Sequence, residues 1–255
     1  SKREKRLGTV ILFVTSRCNA FCQTCFYHEE LNQPGDLTFA QLEKISQTMP
    51  PITDLWLSGG EPTLRRDISD VIDLFVKNNG VSRVIIPTNG LIKSRVFEIV
   101  DRALDKNPSL DLYLNIALDG YGETHDRIRG VPGNWGKTLE CIEALYPLKH
   151  EYTDRFRLNV NTVVCAENYT EIEMLSEFMW ENYRLDGQYF NIIRGETLVG
   201  EQIKQVPPEV LPAMYAHVAK LTKRYGDRMF ANDDLSKRFV NELDFPLADR
   251  LEPQH

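Results

Sequence analysis

The 255-residue chain lacks an excess of basic residues, carrying 30 Lys and Arg against 37 Asp and Glu. That deficit argues against a general nucleic-acid binder, because neutralising a phosphate backbone needs a basic surface. Long hydrophobic runs are missing too. The apolar stretch Val10–Val14 follows the one dense basic run, Lys2, Arg3, Lys5 and Arg6, and is too short for a signal sequence or a membrane span. A cytoplasmic protein is therefore expected. Cysteine is scarce and odd in number: there are five, three of them crowded into residues 18–25. This distribution fits a metal or redox site in a reducing compartment better than a disulfide framework. No solenoid-like repeat or low-complexity segment interrupts the chain. Ser1 stands where a methionine would open a natural chain, so a processed or engineered start is expected.

What is present is alternation. Short β-branched runs recur at Thr9–Val14, Asp54–Leu57, Arg83–Ile86, Leu110–Leu118, Arg157–Val164 and Tyr189–Ile193, with longer amphipathic stretches between them. This is the pattern of repeated βα units around a parallel sheet. Thr38 with Gln41 forms a capping box, Asp67 opens a helix over Asp67–Asn78, and Asn168 with Glu171 opens Ile172–Tyr183. Ile68, Val71, Ile72 and Phe75 follow helical spacing, as do Ile172, Leu175, Phe178 and Met179, and both sets are expected to face the core. Six such units make either an open doubly wound sheet or a curved partial barrel. In both, functional loops lie at the carboxyl ends of the strands. After Arg194 the pattern turns to Pro-punctuated polar sequence with one helix, Pro208–Tyr225, which places a boundary between residues 1–194 and a C-terminal extension, 195–255.

Cys18, Cys22 and Cys25 directly follow the first strand and so share one loop at the functional edge of the sheet. Three thiolates on a four-iron cubane leave one iron with an open coordination position. The same residues with His28 would also complete a structural zinc tetrahedron, and the residues alone leave that reading open.

The CxxxCxxC loop after a first strand resembles the radical S-adenosylmethionine (SAM) superfamily. The resemblance implies a partial (β/α)6 barrel, a [4Fe–4S] cluster held by Cys18, Cys22 and Cys25, and SAM as cofactor. It spans roughly residues 8–194. Gly59-Gly60-Glu61-Pro62 ends the second strand, where the family contacts the methionyl amino group of SAM. By itself, a glycine pair lets the backbone approach a ligand closely. Thr88 and Asn89 close the third strand, and Ala117-Leu118-Asp119-Gly120 the fourth, where ordinary βα turns are the competing reading. His125-Asp126-Arg127-Ile128-Arg129-Gly130 looks like the HDxxRG stretch of the peptide-modifying (SPASM/twitch-type) branch, in which the arginine matching Arg129 grips the SAM carboxylate. Without the resemblance this stretch reads as a solvated charged loop.

Two positions depart from the family pattern. Thr24 precedes the third cysteine where relatives carry an aromatic residue, and Ala117 stands where relatives carry a serine that bonds the cofactor. Either that contact is lost or a neighbour of the same strand parity, Asn115, supplies it, with Asn161 a weaker polar candidate. Cys141 is expected to be a buried small residue, and Cys165, just after the fifth strand where it would face the barrel mouth, is expected to serve core or rim packing ahead of a radical or redox role.

The implied reaction is reductive cleavage of SAM to methionine and a 5′-deoxyadenosyl radical that abstracts a substrate hydrogen. A reduced ferredoxin or flavodoxin would donate the electron. Peptide or protein modification is the substrate class the motifs favour, with lipid, sugar or nucleoside chemistry as the alternative and a zinc-stabilised, non-catalytic binding module as the rival from another class. Residues 195–255 contain no cysteine, so a single cluster is expected, as is a fragment whose cysteine-rich extension is missing.

Overall fold

The computed structural model describes residues 7–229. Its strands are β1 Thr9–Thr15, β2 Asp54–Gly59, β3 Arg83–Thr88, β4 Asp111–Ala117, β5 Phe156–Val164 and β6 Gly187–Ile192. The helices are α1 Phe39–Thr48, α2 Ile68–Asn79, α3 Lys93–Lys106, α4 Glu123–Arg129, α5 Asn134–Ala144, α6 Tyr146–Glu151, α7 Ile172–Asn182 and α8 Leu211–Met229. All neighbouring strands are parallel, and their order in the sheet is their order in the chain.

That order decides between the two candidate architectures. A doubly wound sheet reverses its strand order at a switch point; here there is no reversal, so right-handed crossovers carry the helices to one face. A single helical layer follows, with α1 packed on α2, α2 on α3, and α3 on α5. Since β1 and β6 each pair on one side only, the result is an open, partial (β/α)6 barrel.

Strand alternation assigns the two faces. Leu55, Leu57, Val84, Ile86, Leu112, Leu114, Leu158 and Val160 are buried with Val71, Ile72 and Phe75 of α2 and Val96, Ile99 and Val100 of α3. The opposite, concave face carries Pro87, Asn115 and Asn159 in one row and Ala117, Asn161 and Tyr189 in the next.

Local starts follow the sequence only in part. Thr38 and Gln41 make the expected reciprocal capping box on α1. Asp67 precedes α2 without capping it, because its carboxylate takes both prongs of the Arg65 guanidinium at 2.8 and 3.1 Å. Asn168 does not cap α7 either; Glu171 stands at that position. The Asn168 amide instead donates to the Asp119 and Val163 carbonyls, both at 2.8 Å, and accepts from Cys165 N–H, tying the end of β5 to the turn after β4. Cys165 packs as expected of a core residue, in an apolar cluster with Ile128, Ile193 and Ile203.

The chain divides into two compact units, up to Val206 and from Pro207. Residues 195–206 lie in the first, where Ala166 N–H donates to the Ile203 carbonyl at 2.8 Å. In the second, a 3₁₀ turn at Pro208–Val210 leads into α8. No helix among the described residues is long and apolar enough to cross a membrane.

Phe75 is 1% exposed and central to the helix–sheet contact. Phe75→Ala is expected to cost about 3–5 kcal/mol in urea unfolding, the usual loss for a buried phenylalanine. A loss below about 1 kcal/mol would mean that the core does not rest on this face.

Candidate functional site

The three cysteines sit in an irregular loop between β1 and α1, and the chain's other elements hold its backbone. At its start, Gly60 N–H donates to the Thr15 carbonyl at 2.8 Å and Glu61 N–H to the Arg17 carbonyl at 2.7 Å. A Cβ on Gly59 would lie 2.2 Å from the Thr15 oxygen, and one on Gly60 2.3 Å from the Arg17 oxygen. The glycine pair is thus required by the close approach of the cysteine loop itself. From the other side, Phe21 N–H reaches the Arg129 carbonyl at 3.1 Å and Gln23 N–H the Ile128 carbonyl at 2.8 Å. From beneath, Asp36 accepts from the Thr15 hydroxyl and Ser16 N–H, both at 2.7 Å, and Asn32 Oδ1 accepts from Cys18 N–H at 3.1 Å.

Glu61 is 3% exposed and its carboxylate has no cationic partner among the described residues. Oε1 accepts from Thr63 Oγ1 (2.5 Å), Thr63 N–H (3.2 Å) and Thr88 Oγ1 (2.8 Å), while Oε2 accepts from Asn89 N–H alone (2.7 Å). A carboxylate offers about four acceptor positions, so Oε2 keeps one free. Burial raises the Glu61 pKa against the pull of these donors, the signature of an anion lacking a counter-charge. Asn89 Nδ2 donates to Asn19 Oδ1 at 2.7 Å, linking this network back to the cysteine loop.

Arg129 is the matching cation, its side chain 14% exposed. Nη1 donates to Asp119 Oδ2 at 3.0 Å, and Nε is buried without a partner. Burial alone would lower its pKa, but the charges of Cys22 and Asp119 outweigh that and hold the guanidinium protonated. Asp119 is fixed in turn by Val163 N–H at 2.7 Å. Burial raises the pKa of all three thiols, and the Arg129 charge opposes the rise.

The remaining candidates fall into place around this core. Asn115 lies on the concave face, its Oδ1 accepting from Asn159 Nδ2 at 3.1 Å, and Asn161 accepts from Asn191 Nδ2 at 2.5 Å. Thr24 is buried, while Phe26 is 63% exposed and Tyr27 stacks on Phe13 with ring centroids 5.0 Å apart. His28 does not join the thiols: its Nδ1 lies 3.0 Å from the Cys25 carbonyl oxygen. Among the described residues no three His, Cys, Asp or Glu side chains converge where a single ion would sit. A zinc tetrahedron needs such a point. A cubane does not, because each thiolate takes a different iron. A surface cleft of about 440 Å³ beside α1 and α2 holds none of these residues; its carboxylates Asp67, Asp70 and Asp73 are already paired with Arg65, Arg102 and Lys106.

Sequence reasoning missed Asn19, Thr63 and Asn32, whose only signal is a polar side chain in or beside a turn. It also read residues 123–129 as a charged loop where the structure has α4, bounded by Gly122 and by Gly130 at φ +65° and burying Thr124, His125 and Ile128.

The fold and the site define a class: a partial α/β barrel with a three-cysteine loop at the carboxyl edge, flanked by one buried anion and one buried cation. Residues 12–179 match the model of the radical SAM superfamily, and the chain belongs to that family. The superfamily consists of enzymes that use a [4Fe–4S] cluster and SAM. Its sequence relatives include pre-heme d1 synthase of Dinoroseobacter shibae, 36% identical over 53% of this chain and 32% of the relative. Others are an AdoMet-dependent heme synthase of Methanosarcina barkeri (31% identical; 66% of this chain, 46% of the relative) and a GTP 3′,8-cyclase of Rhodopirellula baltica (29%; 51% and 36%). The chain covers less than half of each of these three. In fold it is similar to Streptococcus suis SuiB (TM-score 0.63, 19% identity, 86% of this chain and 47% of that one) and to native anSMEcpe with bound AdoMet (0.60, 20%, 89% and 63%).

Two outcomes are expected of the metal-free protein. Cys141 and Cys165 are buried, with pKa values pushed up to about 12 and about 11 by desolvation, while the three loop thiols are partly exposed. Iodoacetamide at neutral pH should therefore label Cys18, Cys22 and Cys25 and reach the other two only on unfolding; native labelling of Cys141 or Cys165 would contradict their placement.

The second concerns His125, whose Nδ1 accepts Asp119 N–H at 2.9 Å and whose pKa falls from 6.5 to about 3, through burial first and the Arg129 charge second. A depressed folded-state pKa contributes stability that is complete above 6.5 and is lost as pH falls toward about 3. Between pH 7 and pH 4.5, urea unfolding of the wild type should lose about 2–3 kcal/mol more than that of His125→Gln. Equal losses would show that His125 is not held neutral.

Proposed function

We propose that Cys18, Cys22 and Cys25 ligate one [4Fe–4S] cluster, that SAM occupies its open iron, and that the chain abstracts a hydrogen from a peptide or protein side chain. One observation carries the cofactor reading: a buried carboxylate without a cation and a buried guanidinium with an unpartnered Nε flank the same cysteine loop. The ammonium and carboxylate of a methionyl group complement that pair. Bound there, the cluster and SAM would supply a 5′-deoxyadenosyl radical for hydrogen abstraction.

The protein's own residues divide the remaining work. Glu61 Oε2 receives the ammonium, and Thr88 and Asn89 hold that carboxylate in place. Arg129 receives the carboxylate, anchored by Asp119. Gly59 and Gly60 seat the cysteine loop. Asn115 presents its amide on the concave face, in the same strand parity as Ala117, which has no hydroxyl. A reduced ferredoxin or flavodoxin supplies the electron.

The peptide reading rests on the HDxxRG stretch at residues 125–130 and on the neutral amide and hydroxyl groups of Asn115, Asn159, Asn161 and Tyr189, which suit a polar, uncharged chain. The sequence relatives favour a second reading, a small-molecule substrate, because they are named as heme synthases and a GTP cyclase.

Anaerobic reconstitution tests this. About four iron atoms should bind per chain, and dithionite with SAM should yield 5′-deoxyadenosine. Alanine at Cys18, Cys22 or Cys25 should remove most of the iron, whereas His28→Ala should keep it. Glu61→Gln should weaken SAM binding about tenfold with iron near normal, the loss of one charge-assisted contact. Full metal in all three cysteine variants would overturn the ligand set, as would a content near eight irons per chain. Deuterium transfer from labelled peptides or from labelled GTP separates the two substrate readings.

A further inference from the structure

We propose that the last turn of α4 positions the middle cysteine, and that the Arg129 guanidinium serves Cys22 as a built-in counter-charge. The counter-charge half rests on the cluster reading above; the positioning half does not.

The geometry is a bracket. Residues on both sides of Cys22 are pinned to consecutive carbonyls of one helical turn, Phe21 N–H to Arg129 and Gln23 N–H to Ile128, and Gln23 Nε2 adds a third contact to the Arg127 carbonyl at 3.2 Å. The Ile128 and Arg129 carbonyls end the helix, so the loop satisfies groups that would otherwise need capping. The approach is close enough to need glycine: Gly130 lies at φ +65°, and a Cβ there would fall 2.4 Å from the Phe21 oxygen. Neither neighbouring cysteine is bracketed in this way.

The same turn delivers the charge. Asp119 occupies one end of the guanidinium, while Nε is buried and unpartnered, a state that costs free energy unless a partner arrives. Cys22 is the most enclosed of the three thiols, and its charge outweighs every other that holds the Arg129 guanidinium protonated. A cation beside a cluster thiolate stabilises the reduced, more negative state and so raises the reduction potential. This role is present before SAM binds, which separates it from a grip on the SAM carboxylate.

Two measurements without SAM test the proposal. In the metal-free protein, Gly130→Ala should raise iodoacetamide labelling of Cys22 several-fold relative to Cys18 and Cys25. In the reconstituted protein, Arg129→Gln should keep its iron but shift the reduction equilibrium of the cluster at least tenfold against reduction, 59 mV for one electron, and Arg129→Lys should restore part of the shift. Unchanged Cys22 labelling in Gly130→Ala overturns the positioning role. An unchanged potential in Arg129→Gln, with weaker SAM binding, overturns the counter-charge and leaves the arginine to SAM alone. If no cluster forms in the wild type, the cofactor reading fails with the counter-charge, while the labelling result still decides the positioning role.

Discussion

The structure depends on backbone hydrogen bonds made to a loop that has no regular structure of its own. Ordering each residue of such a loop costs about 1–2 kcal/mol of conformational entropy, and the residues around Cys18, Cys22 and Cys25 bury little apolar surface to offset it. The compensation comes from outside. The glycine turn after β2 takes the carbonyls of Thr15 and Arg17, and the last turn of α4 takes the N–H groups of Phe21 and Gln23. Both supports are rooted in the sheet, so the thiols inherit their spacing from the barrel. This explains why the two glycines and Gly130 are all placed where a Cβ would strike backbone.

Around that loop lies an arrangement of charge that folding alone would not favour. A buried carboxylate without a cation and a buried guanidinium with an open donor each carry a desolvation cost that a hydrophobic pair of similar size would avoid. The chain offsets the cost locally, with four groups donating to Glu61 and Asp119 bound to Arg129. It does not remove it. Strained electrostatics of this kind collect at functional sites, and a zwitterionic ligand between the two groups would relieve both.

The architecture was legible because its signals are local and repeated. Six β-branched runs separated by amphipathic stretches matched the six strands to within two residues at each end; in β2 and β3, Ser58, Gly59, Pro87 and Thr88 extend pairing beyond the apolar run. The cysteine loop and its order relative to the glycine turn were legible for the same reason. What failed were assignments that depend on distant partners. Asp67 and Asn168 look like helix caps in sequence, yet one is taken by Arg65 and the other by the turn after β4. Residues 123–129 read as a loop because their charges hide a short buried stripe, Thr124, His125 and Ile128. The contact between that helix and the cysteine loop joins residues about a hundred positions apart, and no local pattern announces it.

The central claim is that three protein thiolates leave one iron of a cubane free for SAM. Mössbauer spectroscopy of protein reconstituted with ⁵⁷Fe tests it most directly, recorded with and without SAM. One iron site in four should change its isomer shift on SAM addition while the other three stay as they were. Four sites that remain equivalent and indifferent to SAM would contradict the claim.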